Sequence, residues 1–220
     1  MNLYALFFPT LYLIVIIFGI VNYNKIKDVF FLKLFLIFLI YSFLTEITAF
    51  YIGIYKGINT FYIYNTWTIV STYFYLYFFL NLVGNNFKRN FLKLLILIYS
   101  IFSIIDILFF ADFIHKGLNN NTIIANIFIV ISILIYFSEL LQSSAILNIK
   151  HTIYFWIAIG VLLYNIGFLP IIVIAEYINY SGVFRYTIYV LNFITDSCFI
   201  LGFVLSKKEY NKLTLTSLNN

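Results

Sequence analysis

Four carboxylates lie within long apolar runs of this chain: Glu46, Asp106, Glu139 and Asp196. No lysine or arginine shares the interior of those runs. An acid removed from water without a basic partner holds its proton or recruits a cation. Proton binding, cation binding and recognition of a positively charged ligand are therefore the chemistries these residues could support. Amides and hydroxyls accompany them at helical spacing. Ser42, Thr45, Glu46 and Ala49 form one stripe, since residues three, four and seven apart share a helix face. Asn192, Thr195 and Asp196 repeat the pattern, and Asn65, Thr68 and Thr72 line another face. Ser100, Ser103 and Asp106 do so approximately, and Tyr164 with Asn165 adds a polar pair. Such stripes should face neighbouring helices and leave the Leu, Ile and Phe faces to lipid.

The elements that must carry these residues follow from composition. The chain has 220 residues, 64% hydrophobic and only 10% charged, with mean hydropathy +1.02. A soluble domain averages about 25% charged, and a chain this short cannot hide so much apolar surface from water. Lipid must be the solvent for much of it. A span needs about 20 apolar residues. The spacing predicts seven: Leu3–Val21, Val29–Ile52, Tyr62–Val83, Phe91–Phe113, Thr122–Ala145, Thr152–Ile174 and Tyr186–Ser206. The runs are twice the length of barrel strands and do not alternate. The expectation is an all-α polytopic bundle over residues 1–206, with 207–220 as a short tail. The first run lacks a basic leader and a small-residue cleavage site, so it is read as a span and not as a signal peptide.

Charge sets the orientation. Ten basic residues fall on one side: Lys25, Lys27, Lys33, Lys88, Arg89, Lys93, Lys150, Lys207, Lys208 and Lys212. Lys56, Lys116 and Arg185 fall on the other. The positive-inside rule then predicts an outer N-terminus and a cytoplasmic C-terminus in an inner (plasma) membrane. The net charge of +5 belongs to these connections, so it indicates topology and not a nucleic-acid partner. Tyr51, Tyr55, Tyr62, Tyr64, Tyr177, Tyr180, Tyr186 and Tyr189, with Trp67, gather near the expected outer face, as an interfacial belt or as the lining of an outer pocket.

The acid in the second run does not prevent insertion. Sixteen Val, Ile, Leu and Phe residues between 29 and 52 each favour insertion by about 0.3–0.6 kcal/mol. A central charge costs about 2.5–3.5 kcal/mol. By depth, Glu46, Asp106 and Asn65 fall in the outer half of their spans and Asp196 and Asn165 near the middle. They could share one cavity open to the outside; Thr45 and Asn192, on the stripes of Glu46 and Asp196, are further binding candidates. Glu139, on a fifth-span stripe with Ser132, Gln142 and Ser143, lies in the cytoplasmic half.

Several chemistries lack their residues. His115 and His151 lie in connections on opposite sides, so neither a zinc hydrolase nor an intramembrane serine protease has a buried histidine. No lysine stands mid-span in the last helix for a retinal Schiff base. Cys198 is single and reads as a packing residue. No P-loop, dinucleotide fingerprint or HExxH motif occurs. No enzyme, metal or cofactor is expected. Two tripeptides, "NNT" at Asn120–Thr122 and "NYS" at Asn179–Ser181, match glycosylation acceptors, a pattern common by chance.

The segment "FWIAIGVLLYNIGF", residues 155–168, with Glu46 and "YNTW" at 64–67, resembles a family of uncharacterised small bacterial seven-span membrane proteins. It is also similar to the membrane module of some sensor histidine kinases. The resemblance implies a sensor-like or accessory module acting through a membrane or signalling partner, since 14 residues after the last span leave no room for an output domain. The alternative is a small secondary transporter in which Glu139 completes a path from the outer acids to the cytoplasm.

Overall fold

The computed structural model describes residues 6–175 and 182–211. Among these residues there is no strand. Seven helices follow one another: α1 (Phe7–Val21), α2 (Phe30–Tyr55), α3 (Phe61–Leu80), α4 (Asn86–Ile105), α5 (Asn119–Leu140), α6 (Ile153–Ala175) and α7 (Gly182–Leu205). Five of them are long and apolar enough to cross a membrane: α2, α4 with its extension to Phe110, α5, α6 and α7. Over its described residues α1 is shorter, at 15 residues. α3 is long enough, but Asn65, Thr66, Thr68, Ser71, Thr72 and its tyrosines dilute its apolar character. The large apolar side chains left exposed, such as Leu97, Ile101 and Ile104 on α4, mark faces suited to lipid. Tyr177, Tyr180, the "NYS" tripeptide, Lys212 and the start of the first predicted span lie outside the described residues.

Local chemistry sets the helix ends. Asn85 caps α4, its side chain accepting from the N–H of Phe87 (3.0 Å) and Lys88 (3.2 Å). α4 therefore begins at Asn86, five residues before the apolar run, and carries Lys88 and Arg89 in its first turn. Its far end widens into a π turn, Asp106–Phe110, where Ala111 N–H reaches back to Asp106 O at 2.8 Å. After α2, Gly57 adopts φ +62°, and Ile58 N–H bonds to Ile52 O at 3.4 Å. This left-handed closure suits glycine. α5 stops at Leu140, five residues short of the predicted end. A turn and a 3₁₀ stretch (Ser144–His151) follow, so Gln142 and Ser143 lie beyond the helix and not on its stripe.

Six helices form a closed ring in the order α1, α2, α3, α5, α6 and α7, with α7 packing back on α1; α4 lies outside, against α3 and α5. The α6–α7 contact is the most extensive, because Gly160 allows close approach. A Cβ there would lie 3.0 Å from Cys198 Cβ and 3.1 Å from Thr195 O. Cys198 is thus a buried packing residue, as its apolar setting predicts.

The ring is solid at one end and hollow at the other. Phe35, Phe78, Phe79, Tyr136, Tyr154, Phe199 and Phe203 fill the half nearest the basic connections. That end is also clasped. Lys25 Nζ donates to Phe203 O (3.0 Å) and Val204 O (2.7 Å) at the end of α7. Its partial burial there pushes the ammonium below its ordinary pKa. Asn211 accepts from Ile153 N–H (3.0 Å) and donates to Lys25 O (3.2 Å). Lys208 pairs with Asp28 at 2.8 Å.

Candidate functional site

The hollow half encloses a cavity of about 600 Å³, within the size range of small-ligand sites. α1, α3, α5, α6 and α7 form its wall, and Gly117 and Leu118 of the α4–α5 connection border it at the less basic end. Asn65, Asn165, Asn192 and Asp196 all line it, so these predicted site residues come together. Glu46, Thr45, Asp106 and Glu139 do not line it, which corrects the expectation of one shared cavity for the outer acids.

Among the described residues Asp196 is the one carboxylate in the lining. It sits mid-way along α7 and is 4% exposed. No described residue hydrogen-bonds or ion-pairs with it. Among the described residues the lining holds no lysine, arginine or histidine. Tyr12 and Tyr75 lie within electrostatic reach of its carboxylate, and Tyr164 is close to both rings. Asn126, on α5, also lines the cavity, and its buried Nδ2 has no hydrogen-bond partner. Asn165 and Asn192 spend their Nδ2 groups on carbonyls of their own helices, Val161 O at 2.6 Å and Ile188 O at 2.8 Å. Their Oδ1 atoms receive no donor from a described residue. Asp196, Asn126, Asn165 and Asn192 thus line one space, with the Asp196 carboxylate and the Asn126 Nδ2 both lacking a partner among the described residues.

Asn65 has a different task. Its Nδ2 donates to Phe113 O and Lys116 O, both at 2.8 Å, and its Oδ1 accepts from Leu118 N–H at 3.1 Å. It holds the α4–α5 connection over the cavity mouth, and its amide is fully engaged. In that connection His115 donates its backbone N–H to Asp112 (3.1 Å) and sets its ring Nδ1 3.0 Å from the same carboxylate. The backbone bond, followed by the ring, holds the Asp112 carboxyl below its ordinary pKa.

The α2 stripe faces α3, as its spacing predicts. Ser42 accepts from Trp67 Nε1 at 3.0 Å, and Glu46 accepts from Tyr64 Oη at 3.2 Å. Trp67 and Tyr64 line the cavity, so Glu46 stands one side chain behind its wall. Thr45 is buried and donates to Tyr41 O within its own helix. The α4 stripe packs on its neighbours: Tyr73 donates to Ser100 at 2.9 Å, Asn121 donates to Ser103 at 2.9 Å, and Tyr99 donates to Asn121 at 2.6 Å. Asp106 ends this seam, and Asn120 reaches its carboxylate. Glu139 lies at the opposite end of the bundle. Its two oxygens accept from the backbone N–H groups of Gly84 (2.8 Å) and Asn85 (3.0 Å), beside the N-terminus of α4.

Sequence reasoning missed Asn126, Tyr12 and Tyr75. Asn126 had a signal: with Ile129, Ser132, Tyr136 and Glu139 it continues the fifth-span stripe at intervals of three and four. Tyr12 had none, being an isolated aromatic in an apolar run.

No protein-family model matches this chain, and neither a curated protein nor a solved structure shows significant similarity to it. Among the described residues no group of three His, Cys, Asp or Glu is arranged to hold a metal ion.

Proposed function

We propose that this chain is a seven-span protein of the bacterial inner membrane, N-terminus outside, working as a sensor-like or accessory module whose outer-half cavity binds a small ligand. The observation that carries the reading is the cavity itself, with a buried, unpartnered acid in a wall of aromatic and amide side chains. Ten basic residues against three support the orientation. Counting α1 and α3 as spans rests on their place in the ring with α2, α5, α6 and α7, four of the five long apolar helices. The cavity faces the less basic end, so a ligand enters from outside. Its occupancy is passed to a membrane or signalling partner through the packed inner half.

A transport path is less well supported. The acids do not form a file across the bundle: Glu139 is engaged with the α3–α4 connection, and aromatic packing lies between it and the cavity.

The test is a thermal-shift screen of small ligands on the full chain in nanodiscs, with Ala125→Leu as a cavity-filling control. Ligands that stabilise the native chain and fail on the filled variant are expected. Hits that ignore the filling, or no hits, would overturn the reading. Proton-coupled uptake into proteoliposomes, abolished by Glu46→Gln, would put transport in its place.

A further inference from the structure

We propose that the cavity is built for an organic monocation, an aryl- or alkylammonium, with Asp196 as its counter-ion and the Asn126 amide as donor to an acceptor group on the ligand. This inference rests on the reading of the cavity as a ligand site and names the ligand class. Four observations carry it. Asp196 is more than nine-tenths buried, lines the cavity and has no protein partner among the described residues. Among the described residues the wall supplies one carboxylate and no lysine, arginine or histidine, so it is complementary to positive charge. Tyr12, Tyr75 and Tyr164 line the same cavity, with Tyr12 and Tyr75 within electrostatic reach of the acid, and aromatic rings are surfaces that hold ammonium groups. Asn126 Nδ2 is a buried donor without an acceptor, and such a group is satisfied when a ligand brings one.

The donor set argues against a divalent metal ion as the natural occupant. Calcium takes six to eight oxygens and favours several carboxylates, whereas this wall offers one carboxylate amid aromatic and aliphatic side chains. The space also far exceeds a single ion. An ammonium on a small apolar body matches both features: the charge meets Asp196, and the body lies against Val161, Phe168 and Ile172. Glu46 stands behind the wall, where Tyr64 joins it to the cavity lining.

The experiment uses the full chain in nanodiscs and three probes of similar shape: phenethylammonium, the neutral phenethyl alcohol and the anionic phenylpropionate. Isothermal titration is expected to give at least about tenfold tighter binding for the ammonium than for the alcohol, and the anion weakest. Asp196→Asn should erase the preference for the cation, while Asp106→Asn, which removes a buried carboxylate off the cavity, should keep it. Equal binding of alcohol and ammonium, or an unchanged preference in Asp196→Asn, would overturn the proposal. Should Asp196→Asn fail to fold, the three-probe comparison on the native chain decides alone. If neither ammonium nor alcohol binds while other screened ligands do, the cation assignment falls and the cavity reading stands. If no ligand of any charge binds, both fall.

Discussion

Glu139 and Asp196 are both buried, 8% and 4% exposed, one in the solid half of the bundle and one in the wall of the hollow half. Glu139 has two backbone N–H donors and the N-terminus of α4 beside it. Asp196 has neither a donor nor a cation. The first carboxylate is bound into the fold, since a charged group with matched donors joins two elements it would otherwise force apart. The second is left open, and a buried charge without a partner is costly. Elsewhere Arg89 Nε, Asp106 Oδ2 and the Tyr136, Tyr154 and Ser206 hydroxyls are also buried without a hydrogen-bond partner, but none of these residues lines the cavity. The difference teaches that burial of an acid does not by itself mark a site; an unfilled requirement in the wall of a cavity does.

The comparison can be broken by experiment. The largest effect is expected for Glu139→Gln. One amide N–H₂ would then face a backbone N–H donor, removing a charge-assisted bond and costing about 2 kcal/mol. The midpoint of unfolding in SDS should fall accordingly, and an unchanged midpoint would mean that the clasp contributes little. Asn65→Ala comes next. It strips three hydrogen bonds from the connection over the cavity mouth and leaves Leu118 N–H without its acceptor, a loss of about 1–2 kcal/mol. Hydrogen exchange should rise across residues 111–118 and not in the 81–85 connection. Asp196→Asn should run the other way. With no protein partner to lose, it is expected to leave the ligand-free chain as stable or more so. A drop larger than about 1 kcal/mol would show that Asp196 is as engaged as Glu139.

The smallest effect concerns Asp112. Its pKa lies below the ordinary value, so its contribution is complete above the unfolded-state value of about 4 and is lost as pH falls through the lower folded-state value. Amide exchange at His115, corrected for intrinsic rate, should stay flat from neutral pH to about pH 5 and rise only in stronger acid. A rise already under way well above pH 5 would overturn that assignment.

Much of the scaffold was legible along the chain. The Ser42-Thr45-Glu46-Ala49 stripe faces another helix, and Asn165, Asn192 and Asp196 do converge on one cavity. Helix ends were less legible: α4 begins early because Asn85 caps it, and α5 ends early because the chain turns at 141–143. The grouping of acids by depth failed for Asp106. Depth gives position along a helix axis and not the direction in which the helix is placed, and α4 lies outside the ring.

The sequence by itself determined the apolar character of the helices, the helical class and, where a polar stripe exists, the face of a helix that turns toward its neighbours. Those properties are local, set by apolar content over about 20 residues and by a helical repeat of about 3.6. Only the tertiary structure decided what each inward face meets. Glu139 finds two N–H groups 54 and 55 residues away, Asp106 joins a seam between α4 and α5, and Asp196 looks into open space. Three acids of similar chemistry acquire three fates because helix packing selects neighbours far apart in sequence, and no spacing within a single helix encodes that choice.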